Sequence, residues 1–152
     1  MSAADRVAEA LRTAGASEPV TLPDSTRTAG EAAAALGVEV GAIANSLVFL
    51  ADGAPLLVMA SGAHRVHTTG LAARLGVGRI ERATPEQVRA ATGQTVGGVS
   101  PVGHPSPLRA VVDEDLERYP ELWAAAGTPH SVFRTSFAEL VALTGGQVLP
   151  IA

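Results

Sequence analysis

Ile43-Ala44-Asn45-Ser46-Leu47-Val48-Phe49-Leu50 and Pro55-Leu56-Leu57-Val58-Met59-Ala60 are two apolar runs of strand length, separated by a segment carrying Asp52-Gly53. Asp-Gly favours the tight turn of an antiparallel hairpin, because both of its residues accept unusual backbone angles. A β-hairpin is therefore the expected centre of the molecule.

On its N-terminal side, Ser2 with Asp5 opens an amphipathic pattern (Val7, Ala10, Leu11, Ala14) that Gly15 stops, which predicts a capped helix over residues 1–15. Pro19 to Leu22 reads as a short extended piece. Thr28 and Glu31 then form a capping box for an alanine-rich helix ending at Leu36 and Gly37. On the C-terminal side, Thr68 or Thr69 is expected to cap a helix over Leu71 to Leu75, which Gly76 ends, and Arg79 to Arg82 to form a short strand. Thr84-Pro85-Glu86-Gln87 supplies an N-cap, a proline at the first helical position and a capping glutamine for a helix that Gly93 closes.

Thr95 to Val96 is expected to enter the loop Gly97-Gly98-Val99-Ser100-Pro101-Val102-Gly103-His104 as a strand, and Leu108 to Val112 to leave it as another. Asp113 can start a helical turn. Leu122 to Ala126 and Ser131 to Arg134 flank Gly127-Thr128-Pro129, Ser136 with Glu139 caps a last helix, and Gln147 to Ile151 adds a closing strand. Strands and helices mix without strict βαβ alternation. The expectation is an α+β fold: a single domain over 1–152, with one curved mixed β-sheet or partial barrel flanked by helices.

The composition narrows the chemistry. An apolar content of 47% suits a continuous core, and the chain has no cysteine, hence no disulfide and no thiolate nucleophile or ligand. All eleven basic residues are arginine, so there is no lysine. A net charge of −4 with scattered arginines argues against an extended nucleic-acid groove, DNA included, though not against contact with a small nucleic-acid end. No run approaches the roughly 18 apolar residues of a membrane span, and no basic-then-apolar leader opens the chain. A soluble cytoplasmic protein without membrane contact is expected.

The glycine loop is the leading candidate for ligand contact. At Gly97, Gly98 and Gly103 the lack of Cβ lets peptide N–H groups approach a substrate oxygen, although a Gly-Pro-rich loop can equally be a structural turn. Ser100 and His104 share that loop, but a Ser-His pair needs an orienting third group, so Ser100 is read as a hydrogen-bonding residue. His64 and His67 lack a convincing third metal ligand and read as solvated loop histidines, with no metal or cofactor expected. Asp113, Glu114, Asp115 and Glu117 read as a solvated helix start, where carboxylates meet the helix dipole favourably. Arg65, after the hairpin's second strand, can contact an anion or simply be exposed.

Thr28-Ala29-Gly30-Glu31-Ala32-Ala33 with Leu36-Gly37, Ile43 through Phe49, Ser61-Gly62-Ala63-His64-Arg65-Val66 and the loop Gly97 to His104 resemble, in order, motifs of the YbaK/ProX-like family. A fifth stretch, Gly127-Thr128-Pro129-His130 through Thr144-Gly145-Gly146, resembles the family's C-terminal strand and helix, so the likeness covers about residues 25 to 151. That family includes free-standing aminoacyl-tRNA deacylases and the editing insertion of bacterial prolyl-tRNA synthetases.

The resemblance implies trans-editing hydrolysis of the ester joining a mischarged amino acid to the 3′ end of a tRNA. An aminoacyl-tRNA synthetase is a candidate further partner. It also implies a ribose hydroxyl or water as the attacking group, with no protein nucleophile. Gly97, Gly98 and Ser100 would position the carbonyl, Asn45 and Ser46 the adenosine end, and His104 would support the loop or assist proton movement. Thr28, Phe49, Met59, Ser61, Arg65, Val99, Pro101 and Gly103 would complete the substrate pocket.

One departure stands out: relatives commonly carry lysine where this chain has Asn45, and an amide lacks the charge-assisted bond of an ammonium to phosphate. With no lysine available, only an arginine can compensate, and Arg65 is the expected one. A non-catalytic binding module and an esterase acting on another small acyl ester remain as alternative readings.

Overall fold

The computed structural model describes residues 1–152. Helix α1 (Ala3–Thr13) is closed by a reciprocal Ser2–Asp5 capping box, strand β1 (Val20–Thr21) is short, and α2 (Ala29–Leu36) ends on Gly37 in the left-handed region. Thr28 caps α2 by accepting the Glu31 N–H, but the return bond from the Glu31 side chain is absent, so only half of the expected box forms. The hairpin is β2 (Ile43–Ala51) and β3 (Ala54–Ser61), turning at Asp52 and Gly53, both with positive φ.

Helix α3 (Thr68–Leu75) begins earlier than expected: its cap is His67, whose Nδ1 accepts the Gly70 N–H at 3.1 Å, in place of Thr68 or Thr69. β4 (Ile80–Arg82) and α4 (Pro85–Thr92) follow, the latter with its full Thr84–Gln87 box. β5 (Arg109–Asp113) leads into a 3-10 turn over Glu114–Arg118. β6 (Leu122–Ala125), β7 (Ser131–Thr135), α5 (Phe137–Thr144) and β8 (Gln147–Leu149) complete the chain.

The eight strands form one mixed sheet in the order β1-β7-β6-β2-β3-β5-β8, with β4 added to β2, and it does not close into a barrel. Thr95 and Val96 form no strand. β5 already pairs with β3 on one side and β8 on the other, so no edge is free for a strand arriving from that loop.

Alternation along the hairpin distributes the core to both faces. Ala44, Val48, Leu57 and Met59 point with Ala110, Val112 and Phe133 into a core that α1 covers with Val7 and Leu11, and α5 with Leu140. Phe49, Leu56, Val58, Ala60 and Val111 point the other way, onto Leu71 and Ala72 of α3 and onto Ile151. A small third cluster joins Ala32 and Ala33 of α2 to Ile43 and Trp123. At about 25 cal/mol per Å² of apolar surface, burying each leucine or phenylalanine contributes roughly 1.5–3 kcal/mol, so these faces dominate the stability. No helix is long and apolar enough to cross a membrane.

Candidate functional site

The site arises from a break in sheet pairing. β3 occupies one edge of β2 along its whole length, from Ala44 opposite Ser61 to Ala51 opposite Ala54. On the other edge β6 pairs only with Ile43 and Ala44, and β4 only with Phe49 to Ala51. Asn45, Ser46, Leu47 and Val48 lie between them without a strand opposite. Antiparallel pairing turns the peptide groups of alternate residues outward. The Val48 carbonyl faces this edge, where it accepts the Ala83 N–H at 3.3 Å, and the peptide groups of Ser46, two residues earlier, therefore face it too.

A cleft of about 400 Å³ opens at the gap. Ala44, Asn45, Ser46 and Leu47 form one wall, Thr26 to Ala29 and Ala32 the entry to α2, and Trp123 to Ala125 the β6 side. Val96, Gly97 and Val99 close it from the glycine loop. Gly97 has φ +93°, which a side chain would make costly, and neither its N–H nor that of Val99 has a partner in the protein. Thr28, Asn45, Ser46, Gly97 and Val99, separated widely in sequence, are thus brought together around one cleft.

The remaining expected residues lie elsewhere. Phe49 is buried on the α3 face, with the Arg82 guanidinium 6.0 Å from its ring centre. Met59 is fully buried beneath the sheet, its sulfur accepting the Ser46 hydroxyl at 3.4 Å. Ser61 donates its hydroxyl to the Gly41 carbonyl at 2.8 Å and its N–H to Asp113 at 3.0 Å, a structural tie. Gly98 is packed against the Thr128 backbone: a Cβ there would stand 2.8 Å from the Thr128 carbonyl carbon. Arg65 is exposed and does not line the cleft. Arg27 does, as the one charged side chain in its wall.

The second half of the loop turns to a different cavity. Pro101, Val102, Gly103 and His104 line a larger hollow of about 490 Å³ with Ala10 of α1, its C-cap Ala14 and Leu143 of α5, away from Asn45 and Gly97. Ser100 is fully buried; its N–H donates to Gln94 Oε1 at 2.6 Å, and Gln94 Nε2 donates to the Val102 carbonyl at 3.0 Å. His104 Nε2–H donates to the Ser100 carbonyl at 2.8 Å. Burial holds the His104 pKa below its ordinary value of 6.5, a shift that the Ser100 carbonyl opposes. Gln94, which sequence reasoning passed over, is the clamp of the whole segment.

Two expectations about charged residues are corrected. His64 is not a solvated loop histidine: its Nδ1 pairs with Asp113 at 2.9 Å and its Nε2 with Asp115 at 3.0 Å. Nor is Asp113 solvated at a helix start. It is 1% exposed, accepts the N–H groups of Ser61 and Asp115, and ties the end of β3 to the 3-10 turn. Carboxylates entering a turn satisfy buried N–H groups as readily as they meet the dipole.

Arg27 and Trp123 were also missed. The available signal for Arg27 was its place beside Thr28 in a chain without lysine; Trp123 gave none, since its position in the cleft depends on the parallel pairing with Ile43.

Comparison with known proteins adds independent information. The aminoacyl-tRNA editing domain family matches residues 23–143. A proline-tRNA ligase of Nitratidesulfovibrio vulgaris (strain DP4) is 39% identical over 90 residues, 59% of this chain and 16% of the ligase. One of Lysinibacillus sphaericus (strain C3-41) is 33% identical over 100 residues, 66% of this chain and 17% of the ligase. The chain thus spans about a sixth of these relatives. Among solved structures, a candidate trans-editing enzyme for prolyl tRNA synthetase superposes with a TM-score of 0.90 at 52% identity, covering 98% of this chain and 96% of that one.

Proposed function

The chain belongs to the aminoacyl-tRNA editing domain family, and on that premise we propose that it hydrolyses the ester of a mischarged aminoacyl-tRNA in trans. The observation that carries this reading is the gap in the β2 edge, which gathers Asn45, Ser46 and Gly97 around a cleft walled by Ala29, Ala32, Ala44, Ala124 and Ala125. Mostly apolar walls suit a small uncharged amino acid: no carboxylate is there to pair with a cationic side chain, and Arg27 is the one charged group that could meet an anionic one. The 3′ end of the tRNA is the macromolecular partner. Only that tip need enter, in keeping with a net charge of −4.

In hydrolysis, a water oxygen or the vicinal ribose hydroxyl adds to the acyl carbon, the ester C–O bond breaks, and the departing ribose oxygen takes a proton. Water completes the second route by cleaving the transferred ester. Either way the carbonyl oxygen becomes an oxyanion, and fixed peptide N–H groups stabilise it without reorganising. Gly97 and Ser46 supply such groups at the cleft, while the Asn45 amide orients the ribose end. Ser100 and Gly98 act one step back: one closes the loop's internal bonding, the other lets it pack on Thr128. His104 positions the loop. The whole chain works as one domain, α1 included, since Val7 and Leu11 belong to the main core.

The deciding assay is a panel of mischarged tRNAs incubated with the folded protein. Faster loss of a small uncharged amino acid than in buffer is expected; no acceleration on any member would sink the enzymatic reading. Asn45 favours a second reading, a binding module without turnover. An Asn45→Lys variant separates them, since a gain of about tenfold in deacylation marks an attenuated enzyme and no gain a repurposed pocket.

A further inference from the structure

The cleft contains one cation and a glycine shaped to receive it. Arg27 precedes the cap of α2, is exposed, and its guanidinium makes neither a hydrogen bond nor an ion pair within the protein. No carboxylate lines the cleft beside it. Its stem crosses Gly97 closely: a Cβ on Gly97 would stand 2.4 Å from Arg27 Cγ, 3.0 Å from Cδ and 3.2 Å from Nε. Any side chain at position 97 would therefore displace Arg27, quite apart from the strain at φ +93°.

We infer that Gly97 is the seat of Arg27, and that the guanidinium held there binds the phosphate 5′ to the terminal adenosine of the aminoacyl-tRNA. This rests on the editing reading and deepens it. A stem laid along a loop has already lost much of its rotamer freedom, so less entropy remains to be lost on binding. The planar fork matches phosphate oxygens in pairs, and an unpaired guanidinium need break no competing salt bridge first. The unpaired Gly97 N–H lies on the same surface. Asn45 on the opposite wall is then relieved of the charge contact and left to the ribose.

The test uses the full chain and two non-hydrolysable probes: adenosine bearing a 3′-amide-linked alanine, with and without a 5′-phosphate. Calorimetric binding should favour the phosphorylated probe by about tenfold in the wild-type protein. Arg27→Ala should erase that preference while leaving the affinity for the unphosphorylated probe within about twofold, and Arg27→Lys should retain part of it. Gly97→Ala should reduce the preference with Arg27 still present, and add nothing on top of Arg27→Ala. A phosphate preference that survives Arg27→Ala overturns the inference, as does an additive effect of Gly97→Ala. Should Gly97→Ala unfold, the two Arg27 variants decide alone. Equal binding of both probes by the wild type overturns the Arg27 assignment and leaves the editing reading standing; binding of neither removes both.

Discussion

The two halves of the segment from Gly97 to His104 have similar composition and opposite roles. Val96, Gly97 and Val99 face the cleft, and the N–H groups of Gly97 and Val99 remain unpaired. From Ser100 to Val102 the polar groups are engaged inside the protein: Gln94 takes the Ser100 N–H and the Val102 carbonyl, the Ser100 hydroxyl takes the Val102 N–H, and His104 takes the Ser100 carbonyl, while the N–H groups of Gly103 and His104 have no protein partner. The larger hollow lies beside this engaged half, the smaller cleft beside the open one. Unpaired backbone donors next to an interrupted strand edge are what the proposed function uses to meet a ligand's oxygen atoms.

The sharpest way to break this contrast is to remove the clamp. Gln94→Ala leaves a buried N–H at Ser100 and a buried carbonyl at Val102 without partners, at roughly 1–3 kcal/mol each, and should lower unfolding free energy by about 2–4 kcal/mol in urea titrations. A loss below about 0.5 kcal/mol would show that the second half is not held from within.

Catalysis should separate the halves next. Asn45→Ala is expected to lower kcat/KM on a mischarged tRNA by about tenfold, close to the worth of one or two neutral hydrogen bonds. His104→Asn should instead leave the shape of the pH–rate profile unaltered. A profile that loses a limb in the histidine variant would return His104 to the chemistry.

The smallest effect is on acid stability. Folded His104 is held neutral below 6.5, whereas the unfolded side chain takes up a proton near that value. The unfolded state then binds more protons, so stability declines as pH falls through about 6.5 and stops declining at the lower folded value. His104→Asn should flatten that part of the stability–pH curve. An unchanged curve would mean that the imidazole is solvated.

Much of the fold was legible because its signals are local. Ser2–Asp5, Thr84–Gln87 and Ser136–Glu139 each cap a helix within four residues of chain, and Asp52-Gly53 turns the hairpin where expected. The cap of α3 escaped because histidine is an uncommon acceptor in that role, and His67 outcompeted the two threonines after it. The strand expected at Thr95–Val96 failed for a non-local reason, since β3 and β8 had already filled both edges of β5. Of the residues singled out along the chain, Thr28, Asn45, Ser46, Gly97 and Val99 line the cleft. Arg65, the expected arginine, directly follows the hairpin, whereas Arg27, which packs against Gly97, lies 70 residues upstream of it.

By itself the sequence determined where helices start and stop, which strands alternate, and that no lysine, cysteine or basic stripe is available. Caps, turns and apolar periods act over a few residues and can be read along the chain. Only the tertiary structure decided that β6 and β4 leave β2 uncovered from Asn45 to Val48, that Gly97 receives Arg27, and that His104 faces away. Those outcomes depend on competition among distant segments for strand edges and buried volume, and such competition is resolved only when the whole chain packs.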